Sequence, residues 1–131
     1  MLFVKTKIGP SWIAGIGLFA DQDIKKGELV WKFTPGFDQE IKAEKLLKLN
    51  TIAYQTFLNY SYRLLDSKTY VLVFDDSRFL NHADKPNLID SDVDSSVWLG
   101  VIAARDIYRG EELTCDYKQF DADFEKRGIC A

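Results

Sequence analysis

The chain's only histidine, His82, directly follows an asparagine in the run Arg78-Phe79-Leu80-Asn81-His82-Ala83-Asp84-Lys85-Pro86-Asn87. An amide beside an imidazole can read the donor and acceptor edges of a polar ligand. Position alone favours a hydrogen-bonded structural histidine in a tight turn, since a short motif is only a hypothesis. Further on, Gly110-Glu111-Glu112-Leu113-Thr114-Cys115-Asp116-Tyr117 reads as a turn leading into a strand that ends on a phenol. Near the start, Gly15-Ile16-Gly17-Leu18-Phe19-Ala20 supplies two glycines whose missing Cβ atoms would let the backbone pass close to a ligand. That segment lacks the third glycine of a dinucleotide-binding fingerprint and continues like a strand.

Together these three ordered segments resemble the signatures of the SET-domain lysine methyltransferase family, over nearly all of residues 8–117. The resemblance implies a mainly β (β-rich α+β) chain: a SET fold of several short curved sheets, a small helical insert and a pseudoknot near the C-terminus. It implies an enzyme that carries a methyl group from S-adenosylmethionine to the ε-amine of a protein lysine. Ile16, Gly17, Asn81, His82 and Tyr117 are then the donor-binding residues. Tyr117 is also catalytic, orienting the amine and stabilising the developing transition state, with Tyr70 as the second catalytic phenol. Arg78 and Phe79 support them, and Asp116 anchors local structure. The serine and cysteine that usually follow the histidine are here Ala83 and Asp84. This departure removes a cysteine that often ligates zinc together with a C-terminal segment, so the compact chain is expected to lack a post-SET zinc cluster and to bind no metal.

Taken without the family, most of these residues have plainer readings. A bare Tyr117 is a packed aromatic with its hydroxyl satisfied, and Tyr70 could equally face the core of a strand. Tyr54, Tyr60 and Tyr62 offer further phenols for a substrate channel, and Phe120 and Phe124 could close a donor pocket from the tail or simply pack it down. A cysteine inside a strand is commonly a small buried hydrophobe. A hydrolase built on Cys115 would require His82 to meet it within hydrogen-bond reach. Asp75-Asp76, Asp121 and Asp123 could be hard-metal ligands, but no calcium-loop spacing is present. The remaining rival is a catalytically inactive SET-fold protein-interaction module, which donor binding would distinguish from the enzyme.

The elements that must hold these residues are short. The pattern Asp-Ile-x-x-Gly-Glu occurs twice, at Asp23 to Glu28 and at Asp106 to Glu111, and predicts two similar turns each feeding a strand. Residues 29–33, 70–74 and 97–103 are rich in β-branched and aromatic side chains and read as strands. A helical insert is predicted over about 38–59, with Asp38 as its N-cap. Loops are signalled at 34–36, 66–68, 84–87 and 92–96.

At 131 residues the chain fits one domain, with a short tail over 118–131. A net charge of −3 gives no broad basic surface, which argues against direct nucleic-acid binding and is compatible with a basic, histone-like or ribosomal peptide. Two cysteines are too few for a disulfide framework. With no secretory pattern and no membrane-length apolar run, the expected setting is intracellular and cytoplasmic, or nuclear if the source is eukaryotic or viral. The chain is expected to act as a monomer or homodimer.

Overall fold

The computed structural model describes residues 1–64, 68–91, 100–119 and 121–122. Residues 66–67 of the loop predicted at 66–68, the loop predicted at 92–96, the start of the 97–103 strand, and Phe120, Asp123, Phe124 and Cys130 lie outside the described residues.

Among the described residues, ten short strands form small sheets around a buried cluster. Strands β1 (Thr6–Pro10) and β2 (Ile16–Ala20) make an antiparallel hairpin with Gly9 opposite Gly17. Its loop closes through Ser11 N–H to the Gly15 carbonyl at 2.9 Å, and Gly15 itself has φ 45°. Strand β3 (Leu29–Lys32) belongs to a sheet ordered β3-β9-β8, and β4 (Gln39–Lys42) to one ordered β4-β6-β5. The remaining members are β5 (Ser61–Arg63), β6 (Thr69–Leu72), β8 (Leu88–Asp90) and β9 (Gly100–Ala103). A parallel pair joins β7 (Asn81–His82) to β10 (Thr114–Cys115). Leu18, Ile24, Val30, Val71, Leu88, Val101, Ile107 and Leu113 are almost wholly removed from water and knit these sheets together.

The helical insert is shorter than predicted. Helix α1 (Thr51–Asn59) starts on Asn50, whose side chain accepts the Ala53 N–H at 2.8 Å, and a 3₁₀ turn (Ala43–Lys48) precedes it. Asp38 caps no helix. Its buried carboxylate accepts backbone N–H groups from Thr34 at 2.9 Å and Phe74 at 3.2 Å, and the Met1 amino group at 2.8 Å. Those long-range donors tie the Pro35-Gly36 turn to the end of β6, so the chain leaves Asp38 as a strand.

The repeated Asp-Ile-x-x-Gly-Glu segments meet as a reciprocal pair. Ile24 N–H donates to the Ile107 carbonyl at 2.8 Å and Ile107 N–H to the Ile24 carbonyl at 2.7 Å. Asp23 accepts the Arg109 N–H and Asp106 accepts the Lys26 N–H, both at 2.9 Å. Gly27 and Gly110 take φ of 83° and 96°, a left-handed conformation that glycine adopts without strain. Each N–H then reaches a carbonyl of the other unit, Ala103 and Ala20 respectively, at 2.8 Å. The clasp fixes the unit that follows the glycine hairpin against the unit that leads to Tyr117. Asp106→Ala is therefore expected to lower stability by about 1 kcal/mol, read as a lower urea midpoint at unchanged slope.

Candidate active site

The parallel pairing of β7 with β10 sets Asn81 beside Thr114 and His82 beside Cys115, bringing two of the three sequence segments together. The third arrives through Asn81. Its amide nitrogen lies 3.1 Å from the Ala14 carbonyl, 3.4 Å from the Ile16 carbonyl, 3.1 Å from Ser11 Oγ and 2.9 Å from Glu112 Oε2. Ile16 and Gly17 are thus held next to Asn81. Ser11 and Glu112 were not singled out from the sequence, although Glu112 sits inside the second motif. The two glutamates point to different partners. Glu111 turns back on its own loop, where the Tyr108 N–H and then the Arg105 guanidinium hold its carboxyl below the usual range, while Glu112 faces the hairpin.

His82 is buried and connects the asparagine to the tyrosine. Its Nδ1 accepts the Tyr117 backbone N–H at 3.1 Å. That bond assigns the proton to Nε2, which lies 3.2 Å from Asp84 Oδ1. Asp84 is approached by Lys118 Nζ at 3.4 Å, and that cation, with His82, holds its carboxyl below the usual value. The imidazole stands 5.6 Å from the Tyr117 ring and 3.6 Å from Asp116. The Tyr117 hydroxyl donates to the Leu80 carbonyl, so backbone and side chain of this tyrosine are both tied to the Asn-His segment.

Tyr117 forms one wall of a cavity of about 260 Å³ whose other walls include Trp31, Tyr60, Tyr62, Leu80 and Cys115. The Trp31 indole N–H is buried without a hydrogen-bond partner among the described residues. Burial pushes the Tyr62 phenol upward, with the Asp38 charge adding to the effect, so Tyr62 stays a protonated donor. Burial also pushes the Cys115 thiol up. A neutral thiol beside an imidazole whose nitrogens face Tyr117 and Asp84 does not form an activated Cys-His pair.

Tyr70 does not line this cavity. In the β5–β6 pairing Tyr62 stands opposite Val71 and Arg63 opposite Tyr70, so the two tyrosines project from opposite faces of the sheet. Val71 and Tyr62 face the core, whereas Tyr70 packs edge-on against Phe57 of α1 at 5.5 Å. Arg78 supports the site as its guanidinium donates to the carbonyls of Val73, Phe74 and Asp75 at 3.1 to 3.2 Å and stacks 4.5 Å over Tyr60. Asp75 is engaged with Ser77 and the Leu2 N–H, and Asp121 accepts the Arg63 N–H at 3.2 Å, which fastens the start of the tail to β5. Among the described residues no cluster of three potential metal ligands occurs.

Comparison with known proteins shows the family and the fold. The SET domain profile matches residues 15–118. A putative histone-lysine N-methyltransferase of Arabidopsis thaliana, ASHH4, is 32% identical over 126 residues, covering 91% of this chain and 35% of the relative. The histone-lysine N-methyltransferase trr of Drosophila melanogaster is 31% identical over 128 residues, covering 92% of this chain and 5% of the relative. The chain therefore spans about a third or less of these relatives' length. The Neurospora SET domain protein DIM-5, a histone lysine methyltransferase, superposes with a TM-score of 0.61 at 24% identity, over 88% of this chain and 53% of that one. A Polycomb Repressive Complex 2 chain of Chaetomium thermophilum gives a TM-score of 0.66 at 24% identity, over 95% of this chain and 17% of its own. Short sheets around a clasped Asn-His and tyrosine pair, and a profile match across most of the sequence, place the chain in the SET domain family.

Proposed function

We propose that this chain transfers a methyl group from S-adenosylmethionine to the ε-amine of a lysine in a protein substrate. The observation that carries this reading is the placement of Tyr117. It walls an aromatic cavity on one side and is tied through His82 and Leu80 to the strand whose Asn81 holds the glycine hairpin. Gly17 and Asn81 are not walls of that cavity, which supports separate donor and lysine approaches meeting near Tyr117.

The residues present suit such a donor. Oxygen atoms of Ser11, Ala14, Ile16 and Glu112 converge on one amide that has only two hydrogens, leaving acceptor capacity for a cationic group. When bound, S-adenosylmethionine supplies an electrophilic methyl carbon on a positive sulfonium. The chain's task is to hold the amine in line with that carbon and to favour its neutral form. A free lysine, with a pKa of about 10.4, needs roughly 4 to 5 kcal/mol to be presented neutral at pH 7. Burial among Trp31, Tyr60 and Tyr62 disfavours the ammonium, against the pull of the Asp121 carboxylate in the same lining, and the Tyr117 and Leu80 oxygens offer partners for the amine. No carboxylate base is required.

The substrate is read as a lysine-bearing protein segment, and the net charge of −3 is compatible with a basic one. The relatives named above as histone-lysine methyltransferases support that class. The setting is read as intracellular. No helix of the described residues is long and apolar enough to cross a membrane. Calorimetry with S-adenosylmethionine, then mass spectrometry of a histone and ribosomal-protein mixture, is expected to show donor affinity and gain of one methyl mass on lysine. A folded chain that binds no donor would favour the inactive interaction module.

A further inference from the structure

Glu112 is a partly buried carboxylate that holds three chain segments together. Ser11 Oγ donates to it, lying 2.8 and 2.9 Å from its two oxygens, and the Asn81 amide donates at 2.9 Å. Ser11 Oγ accepts in turn from the Ile13 N–H at 2.9 Å and the Ala14 N–H at 3.4 Å, so the hairpin loop is folded around the same hydroxyl. Leu113 N–H donates to the Leu18 carbonyl at 2.7 Å and Phe19 bridges to Glu112, which lays the glutamate across the hairpin at Gly17. Among the described residues no ion pair neutralises this carboxylate.

Gly17 is shaped to that carboxylate. Its φ lies outside the left-handed region, so the backbone itself would accept alanine. Space is what opposes it, because the hydrogen-bonded Glu112 carboxylate would have to move aside. A Cβ there would come 2.6 Å from Glu112 Oε2, 2.9 Å from Glu112 Cδ and 3.0 Å from Ser11 Cβ. The glycine is thus explained from within the protein, before any ligand is considered.

We infer that Glu112 is a positioning residue of the donor site, setting the hairpin loop and the Asn81 amide through one carboxylate, and that Gly17 is glycine to make room for it. This rests on the methyltransferase reading. The loop it fixes carries the Ala14 and Ile16 carbonyls, so loss of Glu112 acts on the donor rather than on the lysine cavity, whose walls it does not touch. A carboxylate beside the hairpin also suits a site for a cationic donor.

The test uses the full chain and S-adenosylmethionine. Glu112→Ala is expected to raise the donor Kd and donor KM by about tenfold or more, because both the Ser11 and the Asn81 hydrogen bonds that set the loop are lost, while peptide KM stays near wild type. Glu112→Gln, which keeps an acceptor for Asn81, falls between the two. Gly17→Ala weakens the donor as Glu112→Ala does, and the double variant is no worse than Glu112→Ala alone, because both changes act on one contact. Unchanged donor affinity in Glu112→Ala would overturn the inference, as would losses that multiply in the double variant, since Gly17 would then face the donor itself. Should Glu112→Ala fail to fold, Ser11→Ala carries the same test with a smaller shift. A wild-type chain that binds no donor would defeat the methyltransferase reading instead. Amide exchange at Ile13 and Ala14, faster in Glu112→Ala if the clasp holds the loop, would still decide the positioning role.

Discussion

Tyr117→Phe is expected to lower kcat about 100-fold or more while leaving the fold and the donor Kd near wild type. The phenylalanine keeps the ring that packs 5.6 Å from His82, and the backbone N–H to His82 Nδ1 is untouched. What disappears is the hydroxyl shared with the Leu80 carbonyl at the wall of the cavity. A preorganised polar group aimed at developing charge in a water-poor site contributes on the order of 100-fold to 1,000-fold in rate. A merely structural tyrosine would behave differently: its loss would lower the melting temperature and leave kcat in place. Steady-state kinetics on a lysine peptide, with calorimetry for the donor, separate the two outcomes. A variant retaining more than half of wild-type kcat would remove Tyr117 from the chemistry.

How this site could be foreseen depends on the range of the interactions that build it. The Asp-Ile-x-x-Gly-Glu turns were legible because a glycine after charged or polar positions and before a β-prone run is a local signal, and both Gly27 and Gly110 adopt positive φ. That the two turns clasp one another through Ile24 and Ile107 was not, since nothing local says which N–H meets which carbonyl. The strands at 29–33 and 70–74 emerged at nearly the expected bounds. Asp38 was read as a cap because acids precede helices, yet donors as distant as Phe74 claimed its carboxylate and moved the helix start to Asn50. Glu112 stayed silent for a related reason. A glutamate following another glutamate in a turn looks solvated, and only the approach of the hairpin shows that it faces Gly17.

The choice between Tyr62 and Tyr70 turns on register, which sequence spacing cannot supply across an intervening loop. Observed pairing sends Tyr62 into the cavity and Tyr70 under α1. Tyr62→Phe is expected to reduce kcat/KM about tenfold, because it removes a buried hydroxyl, held protonated by that burial, from the wall of the cavity proposed for the lysine amine. Tyr70→Phe, whose ring contact with Phe57 survives, is expected to stay within about twofold of wild type. The pH profile sharpens the comparison. Since burial raises the Tyr62 phenol further above its ordinary range, it does not ionise as activity climbs with deprotonation of the substrate lysine. Its removal should therefore lower the profile without displacing it along the pH axis. If Tyr70→Phe were the damaging change instead, the substrate lysine would have to enter on the α1 face of the sheet, and the cavity beside Tyr117 would lose its assigned role.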